Sequence, residues 1–133
     1  MPPPRRTDTE FSLHSQIVQY LAILEKQGRL RFFHPANEGK RGFVAQRAFK
    51  ALGGSAGIPD LCIVGYATVA FIEVKSAKGR ATDTQSAWLS YLDSCGIPNV
   101  VVRDFDEARS FIDAVVGRSD ALKLANNPAS GAA

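Results

Sequence analysis

Two carboxylates and a lysine occupy positions that a β-hairpin would bring together. Asp60 precedes an apolar run that begins at Leu61, and Glu73 and Lys75 end a second apolar run after a turn at Gly65. Side chains of a strand alternate between the two faces of a sheet, so Glu73 and Lys75 share a face. Antiparallel pairing of the two runs then places Asp60 beside the end of the second run.

Such a pair of acids can hold a divalent metal ion. Mg²⁺ prefers near-octahedral oxygen ligands and commonly takes one or two carboxylates besides water and phosphate oxygens. Asp60 and Glu73 supply the carboxylates, and the Val74 carbonyl is placed to supply another oxygen. A bound divalent ion acidifies and orients a water and offsets the charge that develops on a phosphate. We expect Lys75 to position that water or to stabilise that charge.

Each of these residues also has an ordinary interpretation. Glu73 and Lys75 could form a surface ion pair, which contributes ~0–1 kcal/mol. Asp60, after Pro59, could be a simple turn residue. The strand Val69-Ala70-Phe71-Ile72 is apolar enough to be internal, however, and two charges at the end of an internal strand favour a functional site.

The rest of the chain predicts the elements that hold this hairpin. Apolar residues recur at helical spacing in several segments, and β-branched or aromatic residues cluster in others. The predicted order is a helix over 9–27, a strand over 30–34, a helix over 43–52, the hairpin, a helix over 83–94, a strand over 99–103 and a helix over 104–116. This α-β-α-β-β-α-β-α order predicts an α/β fold with a mixed central β-sheet flanked by helices. We expect the last strand to pair in parallel and to be buried on both faces.

The 133 residues suit one domain. We expect residues 1–8 to be a flexible arm, 9–116 the folded domain and 117–133 a mobile tail in which 121–125 could add a helical turn. The start of the chain has no secretory pattern, and no segment approaches the ~20 apolar residues of a membrane helix. Cys62 and Cys95 are predicted to be buried free thiols, which indicates a reducing, cytoplasmic setting.

The net charge of +3 and the pI of about 9.1 are compatible with nucleic-acid binding, and equally with a solubilising surface. Candidates for phosphate contacts lie in loops, turns and one helix around the hairpin: Lys40, Arg41, Lys50, Lys78 and Arg80. Such contacts position a nucleic acid without reading its sequence. We expect no membrane partner and no nucleotide cofactor.

The segment Gly57-Ile58-Pro59-Asp60, followed by Glu73-Val74-Lys75, resembles the PD-(D/E)xK signature of the restriction-endonuclease-like nucleases. More narrowly, residues 10–103 resemble the virus-type replication-repair nuclease domain, VRR-NUC. This resemblance implies a restriction-endonuclease-like core. It implies site roles for the residues at matching positions: Glu10, Asp60, Glu73, Lys75 and Gln85. The loop 33–39 also resembles the loop before the second helix of the family, which implies a nucleic-acid contact for Asn37.

Glu10 and Gln85 also have local explanations. Thr7-Asp8-Thr9-Glu10 and Thr82-Asp83-Thr84-Gln85 both fit capping boxes, in which the fourth residue bonds back to the N-cap amide. The resemblance instead implies that Glu10 is a metal ligand, and that Gln85 supports Lys75 or the attacking water.

Three further residues are not predicted in the site. His14 lies one turn after Glu10, and His34 precedes Pro35. A lone histidine in such a position is more often packed or solvent-facing than functional. Trp88, at helical spacing with the apolar residues around it, is predicted in the core.

The resemblance implies a metal-dependent endonuclease that hydrolyses DNA phosphodiester bonds with Mg²⁺ or Mn²⁺. Single-domain members of the family look like homodimers selective for branched DNA such as four-way (Holliday) junctions, which suggests DNA repair and a phage or bacterial setting. Three alternatives stay open. They are a non-catalytic nucleic-acid-binding module with this fold, a generic α/β binding or interaction domain in which the motif is coincidental, and an RNA-directed nuclease, because no residue obviously tests for the 2′-hydroxyl.

Overall fold

Eight elements occur within the residues that the computed structural model describes, 6–35 and 42–127. They are α1 (Arg6–Lys26), β1 (Arg31–Phe33), α2 (Phe43–Ala51), β2 (Leu61–Gly65), β3 (Thr68–Val74), α3 (Asp83–Ser94), β4 (Asn99–Val102) and α4 (Phe105–Asn126). Their order is the predicted one. The candidates Asn37, Lys40 and Arg41 lie outside the described residues, as does the chain before Arg6.

A four-stranded mixed sheet in the order β1-β2-β3-β4 forms the centre of the fold. β1 with β2 and β2 with β3 are antiparallel, and β3 with β4 is parallel, as predicted. Leu61 pairs with Ile72, so Asp60 and Glu73 are neighbours at the same end of the hairpin. Burial of β4 on both faces was a wrong prediction: only Val102 of this edge strand is buried, because the helices that contact it cover it in part.

The hydrophobic core lies between one face of the sheet and the helices α1 and α4, which pack against each other. Fully burying one Leu or Ile side chain is favourable by roughly 1.5–3 kcal/mol, so this layer supplies much of the stability. Alternate strand residues point into it, among them Leu61, Ile63, Ala70, Ile72 and Val74. The residues between them, including Asp60 and Glu73, therefore lie on the opposite face of the sheet.

α4 continues to Asn126, so the predicted helix end at Val116 and the mobile tail from 117 were wrong over residues 117–126. Gly117 inside a helix costs about 1 kcal/mol relative to alanine, which favoured an end there. Tertiary contacts outweigh that preference. Ser119 is buried, and its Oγ accepts a hydrogen bond from the Tyr66 amide at 2.7 Å.

Both cysteines are free. Cys62 is buried on β2 as predicted, and burial raises the pKa of its thiol. Cys95 is exposed, because it caps the C-terminal end of α3 beyond the last packed turn, so its predicted burial was wrong. Among the described helices, none is long and apolar enough to cross a membrane.

Gly57 allows the first turn of α3 to approach the loop that carries Asp60. Its φ is +80°, and a Cβ atom at this position would lie 2.4 Å from the carbonyl carbon of Thr84 and 2.6 Å from the amide nitrogen of Gln85. Only glycine combines this backbone conformation with such a close approach. The N-terminal end of α3 is therefore held against the Gly57–Asp60 loop.

Replacing Gly57 by alanine is expected to destabilise the fold by about 3 kcal/mol or more, because overpacking against the α3 backbone adds to the strain of a positive φ. Gly28→Ala is the matched control, since Gly28 has a φ of +74° and open space around it. It is expected to cost about 1–2 kcal/mol. Denaturant unfolding measures both variants, and equal losses would contradict the close approach.

Candidate active site

Asp60 and Glu73 meet where β2 begins and β3 ends. The Oδ2 atom of Asp60 accepts a hydrogen bond from the Val74 amide at 2.8 Å, so this carboxylate bridges to the neighbouring strand. Glu73 is 1% exposed, and its buried Oε2 atom has no hydrogen-bond partner among the described residues. A buried acceptor without a donor costs about 1–3 kcal/mol. The pair therefore fits a bound cation.

The protonation of Glu73 follows from the same surroundings. Burial raises the pKa of Glu73 to about 9, and the adjacent Asp60 carboxylate contributes to the rise. The Lys75 ammonium acts in the opposite direction. At neutral pH, and without a cation, Glu73 therefore holds a proton, which a divalent ion would have to displace.

Lys75 approaches the acids from the same face of the sheet. Its Nζ atom lies 3.8 Å from the Oε1 atom of Glu73, and the two side chains are 11% and 2% exposed. The surface ion-pair interpretation is therefore wrong. Because 3.8 Å exceeds hydrogen-bond range, this contact does not use the donors of the ammonium group.

α1 contributes a second wall of the site. A cleft of about 350 Å³ is lined by Glu10, Phe11, His14, His34 and Asp60. α1 begins at Arg6, so the helix starts before Thr7, which the capping-box interpretation places at the N-cap. Glu10 instead lies on the cleft, and its charge contributes to the raised pKa of Glu73.

The acids alone do not form a complete metal cage. Over residues 6–35 and 42–127, no three His, Cys, Asp or Glu side chains are grouped as a ready-made metal cluster. Two adjoining carboxylates are nevertheless a common protein contribution to a Mg²⁺ site, whose other ligands are waters and phosphate oxygens. Metal binding by Val74 and Glu10 stays a prediction.

Gln85 has the local role that its sequence context predicts. The Oγ1 atom of Thr82 accepts from the Gln85 amide at 3.3 Å, and the Oε1 atom of Gln85 accepts from the Thr82 amide at 2.9 Å. This capping box directs the Gln85 side chain back to the start of α3. Support of Lys75 by Gln85 stays a prediction.

The two histidines that sequence reasoning set aside line the cleft. The Nδ1 atom of His34 forms a hydrogen bond with the backbone carbonyl oxygen of Asp60. The His14 ring meets the His34 ring edge-on, with centroids 5.1 Å apart. Burial lowers the pKa of His14, and the charge of Asp60 opposes that effect. The four-residue spacing from Glu10 was the available signal for His14, because such residues share a helix face.

Arg103 is a site-supporting residue that sequence reasoning missed. Its guanidinium Nη1 donates to the carbonyl oxygens of Ser76 at 2.8 Å and of Gly79 at 2.6 Å. It thereby fixes the turn that follows Lys75. The phosphate-contact candidates Lys78 and Arg80 are exposed near this turn, and Lys50 is exposed on α2. No local pattern predicts the Arg103 contacts, because the partners are more than 20 residues apart.

The chain is similar to a known protein family in sequence and in fold. The family model of the VRR-NUC domain matches residues 4–105. The chain belongs to the VRR-NUC family. A solved structure named "VRR_NUC domain protein" is 21% identical, with a TM-score of 0.61, and the match covers 81% of this chain and 88% of the other. That structure supports the fold, and no curated protein matches the chain.

Membership of the VRR-NUC family implies a nuclease-type function and therefore binding of nucleic acid. The matched range contains all five of the predicted catalytic residues, Glu10, Asp60, Glu73, Lys75 and Gln85. It ends as α4 begins, so the packing of α4 described above lies outside the matched range.

The raised pKa of Glu73 predicts that the metal-free protein loses stability as pH rises. Below about pH 4.5, folded and unfolded states both bind the proton, and between 4.5 and 9 only the folded state keeps it. Each pH unit in that window then lowers the free energy of unfolding by up to about 1.4 kcal/mol. Glu73→Gln, which stays neutral, is expected to remove this slope in denaturant unfolding with EDTA.

The control for this experiment is Glu107→Gln, at an exposed position near the start of α4. It is expected to keep the slope of the wild-type protein. Identical slopes in Glu73→Gln and in the wild-type protein would contradict the protonation of buried Glu73.

Proposed function

We propose that this VRR-NUC protein is a divalent-metal-dependent endodeoxyribonuclease. The observation that carries the proposal is the pairing of half-buried Asp60 with buried Glu73, in which one oxygen of Glu73 has no donor among the described residues and the pKa of Glu73 is raised. Asp60 and Glu73 would hold Mg²⁺ or Mn²⁺. The Val74 carbonyl and Glu10 are the further oxygen ligands that we propose.

The chain's own residues would orient the reacting groups around that pair. When bound, the metal supplies an acidified water and an electrostatic counterpart for the phosphate. Lys75 would hold the attacking water or a phosphate oxygen with the ammonium donors that its contact with Glu73 leaves unused. His34 fixes the backbone of Asp60, and Arg103 fixes the turn after Lys75. Gln85 would act on Lys75 or the water after leaving its cap.

We further propose selectivity for branched DNA and a homodimeric assembly. In the described fold the strands and the two long helices pack together in the core, which leaves few elements that could read base edges in a groove. Selection by DNA structure therefore fits this domain better than selection by sequence. A two-fold dimer would present two sites, which suits paired cuts on a four-way junction.

The non-catalytic alternative is less well supported. A binding module that had lost activity would not require a buried acid beside a buried lysine, and the Asp60, Glu73 and Lys75 set is intact, with Glu73 and Lys75 both buried. An RNA substrate differs from DNA by a hydroxyl that a direct assay can test.

A cleavage panel tests the proposal. It contains single-stranded, duplex, flap and four-way-junction DNA and a matched RNA, each with Mg²⁺, Mn²⁺ or EDTA. We expect divalent-dependent cleavage of branched DNA, reduced at least about 100-fold in Asp60→Ala and in Lys75→Ala. Lys123→Ala, which changes an exposed lysine on α4 outside the site, is expected to retain activity.

Two results of the panel and one sizing measurement would each contradict part of the proposal. Equal cleavage by the wild-type protein and by folded Asp60→Ala and Lys75→Ala would contradict the assigned site. Equal cleavage of duplex and junction would contradict branch selectivity. Sizing that shows only a monomer with junction DNA would contradict the dimer.

A further inference from the structure

α2 is an apolar helix without a buried face. None of its nine residues, all of which the structure describes, is buried. Phe43 and Val44 are 75% and 79% exposed, and Leu52, the C-cap residue, is 89% exposed. Large apolar side chains that gather on one short exposed element mark a binding surface.

α2 belongs to an excursion of the chain that begins after His34 and ends before Asp60, and both of these residues line the cleft of the candidate active site. His34, directly after β1, bonds to the carbonyl oxygen of Asp60, and the chain that follows α2 leads back to Asp60. At the far end of the helix, the Phe49 ring packs on Gly54, where an added Cβ would lie 2.4 Å from the ring. Ser55 accepts a hydrogen bond from the Trp88 indole at 3.0 Å, so the chain between α2 and Asp60 is held to α3.

The charge of this excursion is complementary to a polyanion. Residues 35–59, the whole excursion, contain four of the 16 basic residues of the chain and one of its 13 acidic residues, Glu38. The remaining chain therefore has 12 basic and 12 acidic residues, and the whole positive excess belongs to this segment. Within α2, Arg47 and Lys50 carry that charge, and both are exposed.

Phe43, Arg47 and Lys50 form one stripe along α2, because residues at positions i, i+4 and i+7 share a helix face. The Arg47 guanidinium lies over the Phe43 ring, 5.7 Å from its centroid. Aromatic rings and guanidinium planes stack on unpaired bases, while cations contact the flanking phosphates. Bases inside an intact duplex are already stacked and do not offer their faces.

We propose that α2 binds an unpaired base of the bound nucleic acid. Phe43 stacks on the base, and Arg47 and Lys50 contact the phosphates on either side. This inference rests on the proposed nuclease function and assigns its selectivity for branched DNA, where bases are unpaired or easily unstacked, to one helix.

A second copy of the chain is the other possible occupant of this surface. A two-fold contact through α2 would bring Arg47 and Lys50 of both copies together. Residues 35–59 offer one acid, Glu38, against four basic residues, which does not offset that repulsion. The charge of the surface therefore favours nucleic acid.

Fluorescence anisotropy in EDTA tests the inference by comparing a four-way junction with a duplex of the same length, each probe being checked for integrity on a gel. Phe43→Ala is expected to weaken junction binding about 10-fold and to change duplex binding less than about twofold. Phe43→Trp is expected to restore junction binding. Arg47→Ala and Lys50→Ala are expected to weaken both complexes alike.

Tyr91→Ala is the matched control, because Tyr91 is another helical aromatic residue, 63% exposed, on α3. It is expected to leave both affinities unchanged. A 2-aminopurine at the branch point reports stacking directly: its fluorescence is expected to fall on binding of the wild-type protein and not on binding of Phe43→Ala.

An unchanged ratio of junction to duplex affinity in Phe43→Ala would overturn the inference. A Phe43→Ala protein that becomes monomeric while its ratio of junction to duplex affinity stays the same would also overturn the inference, since α2 would then be a protein interface. If Phe43→Ala lowers the ratio of junction to duplex affinity but the wild-type protein cleaves nothing with Mg²⁺ or Mn²⁺, the inference is supported and the nuclease proposal is contradicted. If the wild-type protein cleaves DNA but Phe43→Ala leaves the ratio unchanged, the inference is contradicted and the nuclease proposal is supported.

Discussion

The candidate active site depends on the enforced proximity of two carboxylates at the end of an internal strand. β3 is internal, and the core between the sheet and the helices α1 and α4 fixes which of its residues point away from that core. Glu73 is consequently held beside Asp60 with an unpaired buried oxygen. In the metal-free molecule burial, together with the adjacent Asp60 carboxylate, raises the pKa of Glu73, so that Glu73 holds a proton. A divalent cation in place of the proton would give the same pair a catalytic use.

Residues remote in sequence hold this pair in position. Gly57 allows α3 to approach the Asp60 loop, and His34 bonds to the Asp60 backbone from the end of β1. Arg103, beyond β4, bonds to the turn after Lys75. Each contact fixes backbone rather than a carboxylate, and Asp60 lines the cleft beside α1, from which a ligand can approach it.

The parts of the fold that the sequence predicts are those determined by local periodicity. The alternation of residues 61–75 predicts the hairpin, its register and the meeting of Asp60 with Glu73. The Thr82–Gln85 capping box is equally local and is confirmed. The full length of α4 depends instead on tertiary contacts of Ser119, and the role of Arg103 depends on carbonyl groups over 20 residues away. Such contacts leave no periodic pattern in the sequence.

The most direct test of the account is calorimetric titration of the metal-free protein with Mn²⁺ at pH 7, repeated in two buffers of different ionisation enthalpy. We predict binding that disappears in Asp60→Ala and in Glu73→Gln, accompanied in the wild-type protein by release of about one proton, because the cation must displace the proton of Glu73. Binding that survives both substitutions, or that releases no proton, would contradict a metal site at the buried carboxylate pair.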